Sequence, residues 1–374
     1  MNETLKSLRY TALAVVAALF VSAFIIVITD IAALREGDVL TALDTLRLAY
    51  WSLFKGSFGS LRAISATITG ATPLMLAGLA VSVAFKAGLF NIGATGQMLA
   101  GGMTGLWVGF ALDVPGPLHV ALALLAGALG GAVYGAIPGV LKARTGAHEV
   151  ITTIMLNSVA GFLTLWLLKT ELFKREGRDD AISKLIDEDA KLPRLFWFMG
   201  KRIDLQAHLG FVVALACVGV FWWLLNRTTT GFELRATGLN QEAARYAGMR
   251  TRSLMVVAMT LAGAFAGLAG ASEVLGLYGF ASSSLAGDIG FDAIAVALLG
   301  RSTPIGTAVS AILFGALQAG GRQMQVNTDV PIDLIIVLRS LIVMFIAAPL
   351  LVKAMYRLKG EAQSFGQTFR GWGG

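Results

Sequence analysis

Residues 118–141 read LHVALALLAGALGGAVYGAIPGVL, with no Asp, Glu, Lys or Arg. An uncharged apolar run of 18 or more residues is long enough to cross the hydrocarbon core of a bilayer as a helix. Leu13–Thr29 is a second uncharged apolar run, of 17 residues. Further out, the composition agrees: 56% of the chain is hydrophobic and 14% charged, and mean hydropathy is +0.72. A soluble domain carries about 25% charged residues, so the chain reads as a polytopic, all-α membrane protein. The first run is too long for a signal-peptide core and precedes no small-residue cleavage site, so it reads as a retained helix.

The net charge of +7 does not point to nucleic acid, because most Lys and Arg lie in loops flanking the spans. Cys217 is the only cysteine, and His119, His148 and His208 are far apart. No metal-ligand spacing, redox pair or cofactor motif results. The histidines read as loop or helix-end residues.

About ten spans are expected, near Thr11–Thr29, Leu61–Phe85, Asn91–Leu112, Leu118–Leu141, Val150–Leu168, Ala207–Leu225, Ser253–Leu277, Asp288–Gly300, Thr303–Gly320 and Pro331–Val352. Lys142 and Arg144, then Arg227, Arg235, Arg245, Arg250 and Arg252, then Lys353, Arg357, Lys359 and Arg370 fill alternate loops; Asp113–Pro117 and Tyr278–Gly287 hold no Lys or Arg. The positive-inside rule then puts both termini in the cytoplasm, in the inner (plasma) membrane, with Arg322 the one exception in a short outer loop. Asp30–Ser60 and Thr170–Gln206 become longer outer segments, which cross largely regardless of charge.

Asp288–Gly300 gives about 20 Å of helix against a core of about 30 Å, so it is expected to be a half-helix buried in protein or lining a cavity. Gly127, Gly131, Gly135 and Gly139 recur every four residues, as do Gly101, Gly105 and Gly109, and Gly263 and Gly267. Small residues at that spacing let helices approach closely, and packing within one bundle is preferred over a dimerisation face. Gly88-Leu89-Phe90-Asn91-Ile92-Gly93 and Gly287-Asp288-Ile289-Gly290-Phe291 echo one another ahead of two spans that run oppositely. That suggests an inverted repeat with halves about 61–169 and 253–352, an outer loop 170–206 and a cytoplasmic loop 226–252.

In the cytoplasmic loop, Gln241–Tyr246 reads as a short helix that Gly248 can end, either an interfacial helix or one that fits a groove on a partner. Polar residues at membrane depth are costly unless they face the bundle interior or a watery path. Asn91, Gly93, Gln97, Asn157 and Asp292 are the candidates for such a path, with interhelical hydrogen bonding the alternative for the amides. Arg339 is expected to pair internally, with Asp292 or Glu273.

Glu242-Ala243-Ala244-x-x-x-Gly248 resembles the coupling loop of ABC-importer permeases. Phe90–Leu99 (FNIGATGQML), Glu149–Asn157 (EVITTIMLN) and Phe291–Gly306 (FDAIAVALLGRSTPIG) are similar to the simple-sugar and nucleoside branch of that family. The outer loop and the stretch TTTGFELRATGLNQEAARYAG resemble the guanosine-type permeases, and the likeness runs in order from Leu61 to Val352. Two departures stand: no Ile-x-Leu-Pro tail follows Gly248, and Thr95 stands where many relatives have Glu. The resemblance implies that Glu242, Ala243, Ala244, Arg245 and Gly248 couple to an ATP-binding subunit. It also implies a second permease subunit, expected to be a different chain, and a periplasmic or lipid-anchored solute-binding protein, all around a path in the lipid membrane. No GxxxxGK[ST] loop, hydrolase triad or metal cluster is present in the sequence, so ATP hydrolysis is expected elsewhere. The solute expected is a nucleoside, with ribose or another simple sugar the alternative. An ion-coupled transporter would call for paired intramembrane carboxylates, and only scattered ones are found.

Overall fold

The computed structural model describes residues 3–29, 39–200, 204–328, 330–331 and 333–347. Among these it is helical: α1 Glu3–Thr29, α2 Val39–Phe58, α3 Leu61–Lys86, α4 Ala94–Ala111, α5 Gly116–Thr145, α6 Glu149–Leu167, α7 Gly210–Arg227, α8 Thr229–Leu239, α9 Gln241–Tyr246, α10 Thr251–Glu273, α11 Ile289–Leu299, α12 Pro304–Asn327 and α13 Asp333–Ala347. Three isolated bridges are the only strand-like pairings among the described residues. Six segments are long and apolar enough to cross a membrane: α3, α5, α6, α7, α12, and α10 with its continuation to Tyr278. The outward faces of α5 and α6 are largely apolar, as lipid favours. Phe162 on α6 is 74% exposed and Val133 on α5 is 69% exposed, which water would penalise.

The chain divides into two compact units, with boundaries inside α3 and α12. The first holds residues up to Gly70 and from Leu313 onward. Here α1 packs against α13 and α2, and hydroxyls lace α2 to its neighbours. Tyr50 Oη donates to Leu19 O on α1 (2.5 Å), Ser57 Oγ donates to Ala316 O on α12 (2.6 Å), and Asn327 Nδ2 donates to Ser52 Oγ (3.0 Å). Arg339 lies over the Phe314 ring at 5.7 Å.

The second unit, Ala71–Ile312, is built on α4, α5 and α10. The periodic glycines face one another across these three helices. A methyl group on Gly131 would come within 2.6 Å of Gly267 Cα; one on Gly135 would sit 2.5 Å from Met259 O and 2.8 Å from Gly263 Cα; one on Gly127 would meet Ala271 at 2.5 Å. Backbone touches backbone, so the glycine faces are used within the bundle. Thr104 Oγ1, donating to Ala126 O (2.9 Å), adds a hydrogen bond between α4 and α5.

Several expectations need correction. Asp30–Ser60 is not all loop, since α2 occupies Val39–Phe58. Asn91 precedes α4 rather than opening it, and the helix starting at Gly210 leaves His208 outside the span. Arg322 lies within α12, not in a loop. The end of the last expected span and the basic residues from Lys353 onward lie outside the described residues.

The long segment between α6 and α7 is ordered by backbone pairing onto the core. The N–H groups of Asp187 and Leu192 donate to Gly109 O (2.9 Å) and Leu275 O (2.8 Å), and those of Ser183 and Ile186 donate to Ala281 O and Gly279 O (both 3.0 Å). At its end His208 is 1% exposed, and its Nδ1 accepts the Gly210 N–H (3.2 Å). Burial, and then the nearby Arg194 charge, push this imidazole down to about 4.

Candidate functional site

The half-helix α11 is an 11-residue helix, Ile289–Leu299, close to the expected Asp288–Gly300. Arg301 and Ser302 follow with φ of 53° and 50°, a left-handed pair that costs non-glycine residues roughly 1–2 kcal/mol each and turns the chain sharply. The Ser302 N–H donates back to Ala297 O (2.8 Å), and Thr303 Oγ1 donates to Gly300 O (2.8 Å) before Pro304 opens α12. The start of α11 rests on the start of α4: a Cβ on Gly290 would lie 2.7 Å from Thr95 N and 3.0 Å from Thr95 Cα.

Beside this contact, four of the five candidate path residues come together. Asn91 Nδ2 donates to Gln97 Oε1 (3.0 Å), and Asn91 Oδ1 accepts the Gly93 N–H (2.9 Å). Asn157 on α6 reaches across, donating from Nδ2 to Ile92 O (2.9 Å) and accepting the Gly96 N–H at Oδ1 (2.8 Å). These bonds cap the exposed amides at the α4 N-terminus, which has no other side-chain cap and would otherwise leave donors unmet. Asn91 and Gln97 are 0% and 1% exposed. In this conformation they bond to one another at the start of α4, and Asn157 braces that start onto α6. Asp292 is half-buried in the first turn of α11.

The segment between α7 and α10 holds two helices. Thr228 Oγ1 accepts the Gly231 N–H (3.0 Å) and starts α8; Asn240 Oδ1 accepts the Ala243 N–H (2.9 Å) and starts α9, as N-cap residues do. α9 covers Gln241–Tyr246, the expected short helix, and Gly248 follows at φ 84°. Ala244 is buried against the chain, whereas Glu242, Ala243 and Arg245 are exposed and Tyr246 is 97% exposed. α9 thus presents most of its surface outward.

α8 ties this exposed helix to the spans, and it was not legible beforehand. At one end a Cβ on Gly231 would sit 2.7 Å from the Leu224 carbonyl carbon at the end of α7. At the other, one on Gly238 would sit 2.9 Å from Gly88 N, just past α3. Gly88 itself has φ 73°, which favours glycine. Thr-Gly and Thr-x-x-Gly patterns in Thr228–Gly238 were the available signal, but nothing local named α3 and α7 as the surfaces met. Among the described residues, no group of His, Cys, Asp or Glu could hold a metal.

Comparison with known proteins places these features in a lineage. A family model described as a branched-chain amino acid transport system permease component matches residues 63–351. The guanosine ABC transporter permease protein NupP of Bacillus subtilis is 41% identical over 313 residues, 83% of this chain and 88% of that protein. The nucleoside ABC transporter permease protein NupB of Lactococcus lactis is 36% identical, covering 88% and 93%. The glucose ABC transporter permease protein TsgB13 of Haloferax volcanii is 36% identical, covering 86% of each. No solved structure matches. The family match and these identities, each over more than four fifths of both chains, mean that this chain belongs to the branched-chain amino acid-type transport system permease family.

Proposed function

We propose that this protein is the permease subunit of an ATP-driven ABC importer and forms the path by which nucleosides cross the membrane through alternating access. The likeness to the guanosine permease over most of both chains carries this reading. The glucose permease among the relatives keeps a sugar as the competing solute.

In this reading Glu242, Ala243, Ala244, Arg245 and Gly248 form the surface that meets an ATP-binding subunit. Nucleotide-driven movement of that subunit pushes α9. The close glycine contacts of α8 leave no slack, so the push passes to the ends of α3 and α7. Ten spans, with inverted halves about 61–169 and 253–352, bring the starts of α4 and α11 together at mid-membrane. There, Asn91, Gly93, Gln97, Asn157 and Asp292 border the path, and the amide network releases or reforms as the halves tilt. Uncharged amides and helix N-termini suit a neutral solute rich in hydrogen-bonding groups. The chain sits in the inner membrane with both termini cytoplasmic. A second, different permease chain and a periplasmic or lipid-anchored solute-binding protein complete the importer, and ATP is hydrolysed in the separate subunit.

The substrate is tested by ATP hydrolysis in the complete complex. Guanosine or another nucleoside, delivered by the binding protein, should stimulate turnover, and free ribose or glucose should not. Stimulation by a sugar and by no nucleoside would transfer the assignment to sugars.

A further inference from the structure

Between the end of α5 and the turn joining α9 to α10, the chain forms a cavity of about 720 Å³, within the size range of small-ligand sites. Lys142, Arg144, Arg245, Arg250 and Arg252 line it, and no carboxylate does. Only Lys142 is neutralised, its Nζ lying 2.7 Å from Glu149 Oε2. Among the described residues, none of the four arginines takes part in an ion pair. α10 begins here with no side-chain cap, so the positive end of its dipole adds to the same field. The positive-inside rule accounts for the sign of these charges. It does not account for four uncompensated guanidinium groups converging on one concavity.

The depth of the cavity narrows the ligand. Lys142 directly follows the apolar run of α5, which ends at Leu141, and the apolar part of α10 starts at Leu254 just after the lining residue Ser253. The cavity therefore opens where two spans leave the hydrocarbon, at the level of lipid phosphates. Guanidinium groups match phosphate oxygens in paired hydrogen bonds. We propose that this cavity binds a phosphate-bearing anion, either the headgroup of an anionic phospholipid or a free phosphate ester. The inference rests on the cavity and its charges and does not depend on the transport reading.

The test uses the full chain in detergent. Native mass spectrometry follows retention of phosphatidylglycerol against phosphatidylcholine, and calorimetry follows binding of glycerol 3-phosphate. The Arg144→Gln/Arg252→Gln variant is compared with Arg227→Gln/Arg235→Gln, which removes the same charge outside the cavity. We expect one anion per chain, bound about 30-fold more weakly by the cavity variant and unchanged in the control. Binding of phosphatidylglycerol alone identifies the lipid headgroup; binding of glycerol 3-phosphate identifies a free ester. Arg144→Lys/Arg252→Lys keeps the charge and should still lose about fivefold, which serves if the Gln variant does not fold. Binding of neither probe, as expected if an acidic partner segment fills the cavity instead, overturns the proposal. So does an equal loss in cavity and control variants.

Discussion

The three-helix core of α4, α5 and α10 and the pair α8–α9 both depend on glycine, to opposite ends. In the core, Gly101, Gly127, Gly131, Gly135, Gly263 and Gly267 bring helix backbones into contact along their length. In the pair α8–α9, Gly231 and Gly238 bring the two ends of α8 close to the ends of α7 and α3, Leu234 is buried between them, and α9 beyond them is left exposed. A helix held at every turn is a frame. A helix open on its outer face, joined to one that is packed onto the spans, can receive a push and pass it on.

The largest effect should come from filling the frame. Gly131→Leu forces a side chain into Gly263 O and Gly267; such overpacking costs about 3 kcal/mol or more, and the protein should not be recovered as a monodisperse peak on size-exclusion chromatography. A Cβ at Gly161 on α6 would meet nothing within 4 Å, so Gly161→Leu should purify normally. Equal behaviour of the two would break the contrast.

On the exposed side the prediction reverses. Gly248→Val strains a backbone at φ 84° by about 1–2 kcal/mol, and Glu242→Lys inverts an exposed charge. Both variants should insert and purify at wild-type yield yet lose uptake in the assembled complex. Normal uptake by both would reduce Glu242–Gly248 to an ordinary loop.

Acid should loosen the edge of the frame where the α6–α7 segment meets it. The folded His208 imidazole titrates at about 4 against 6.5 when unperturbed, so between those values the unfolded chain binds more protons. Stability is full above pH 6.5 and falls as the pH drops towards 4, by up to about 3 kcal/mol. Thermal midpoints at pH 7 and pH 5 should separate in the wild type more than in His208→Asn; equal separations would remove the imidazole from the account.

A smaller effect is expected at the α4 start. Asn91→Ala removes the acceptor of the Gly93 N–H and the donor to Gln97 Oε1, costing about 1–3 kcal/mol for buried groups left unmet. A lowered thermal midpoint, with the Gln97→Ala/Asn91→Ala pair less than additive, is the expected sign.

Much of the frame was legible in the sequence, because uncharged runs and four-residue glycine spacing are local signals. The short α11 and the helix Gln241–Tyr246 could be read for the same reason, one from its length and the other from Gly248. α2 could not: Asp44, Arg47 and Lys55 break its hydropathy, and what fixes it is hydroxyl bonding to α1 and α12. Spacing identified the glycine faces but not which helices would meet, since the pairing of α4 and α5 with α10 is set by contacts more than a hundred residues apart. The amides Asn91, Gln97 and Asn157 were found by polarity alone. That Asn91 bonds to Gln97, and Asn157 to the backbone of 92 and 96, has no sequence signature.

The claim that organises all of this is that α9 receives its push from an ATP-binding partner. Nucleoside uptake into proteoliposomes tests it directly, with this chain reconstituted alone under an ion gradient and, in parallel, with its second permease, binding protein and ATP-binding subunit supplied with ATP. The account predicts uptake only in the complete, ATP-supplied vesicles, and none when the ATP-binding subunit is left out. Robust gradient-driven uptake by the chain alone would contradict it.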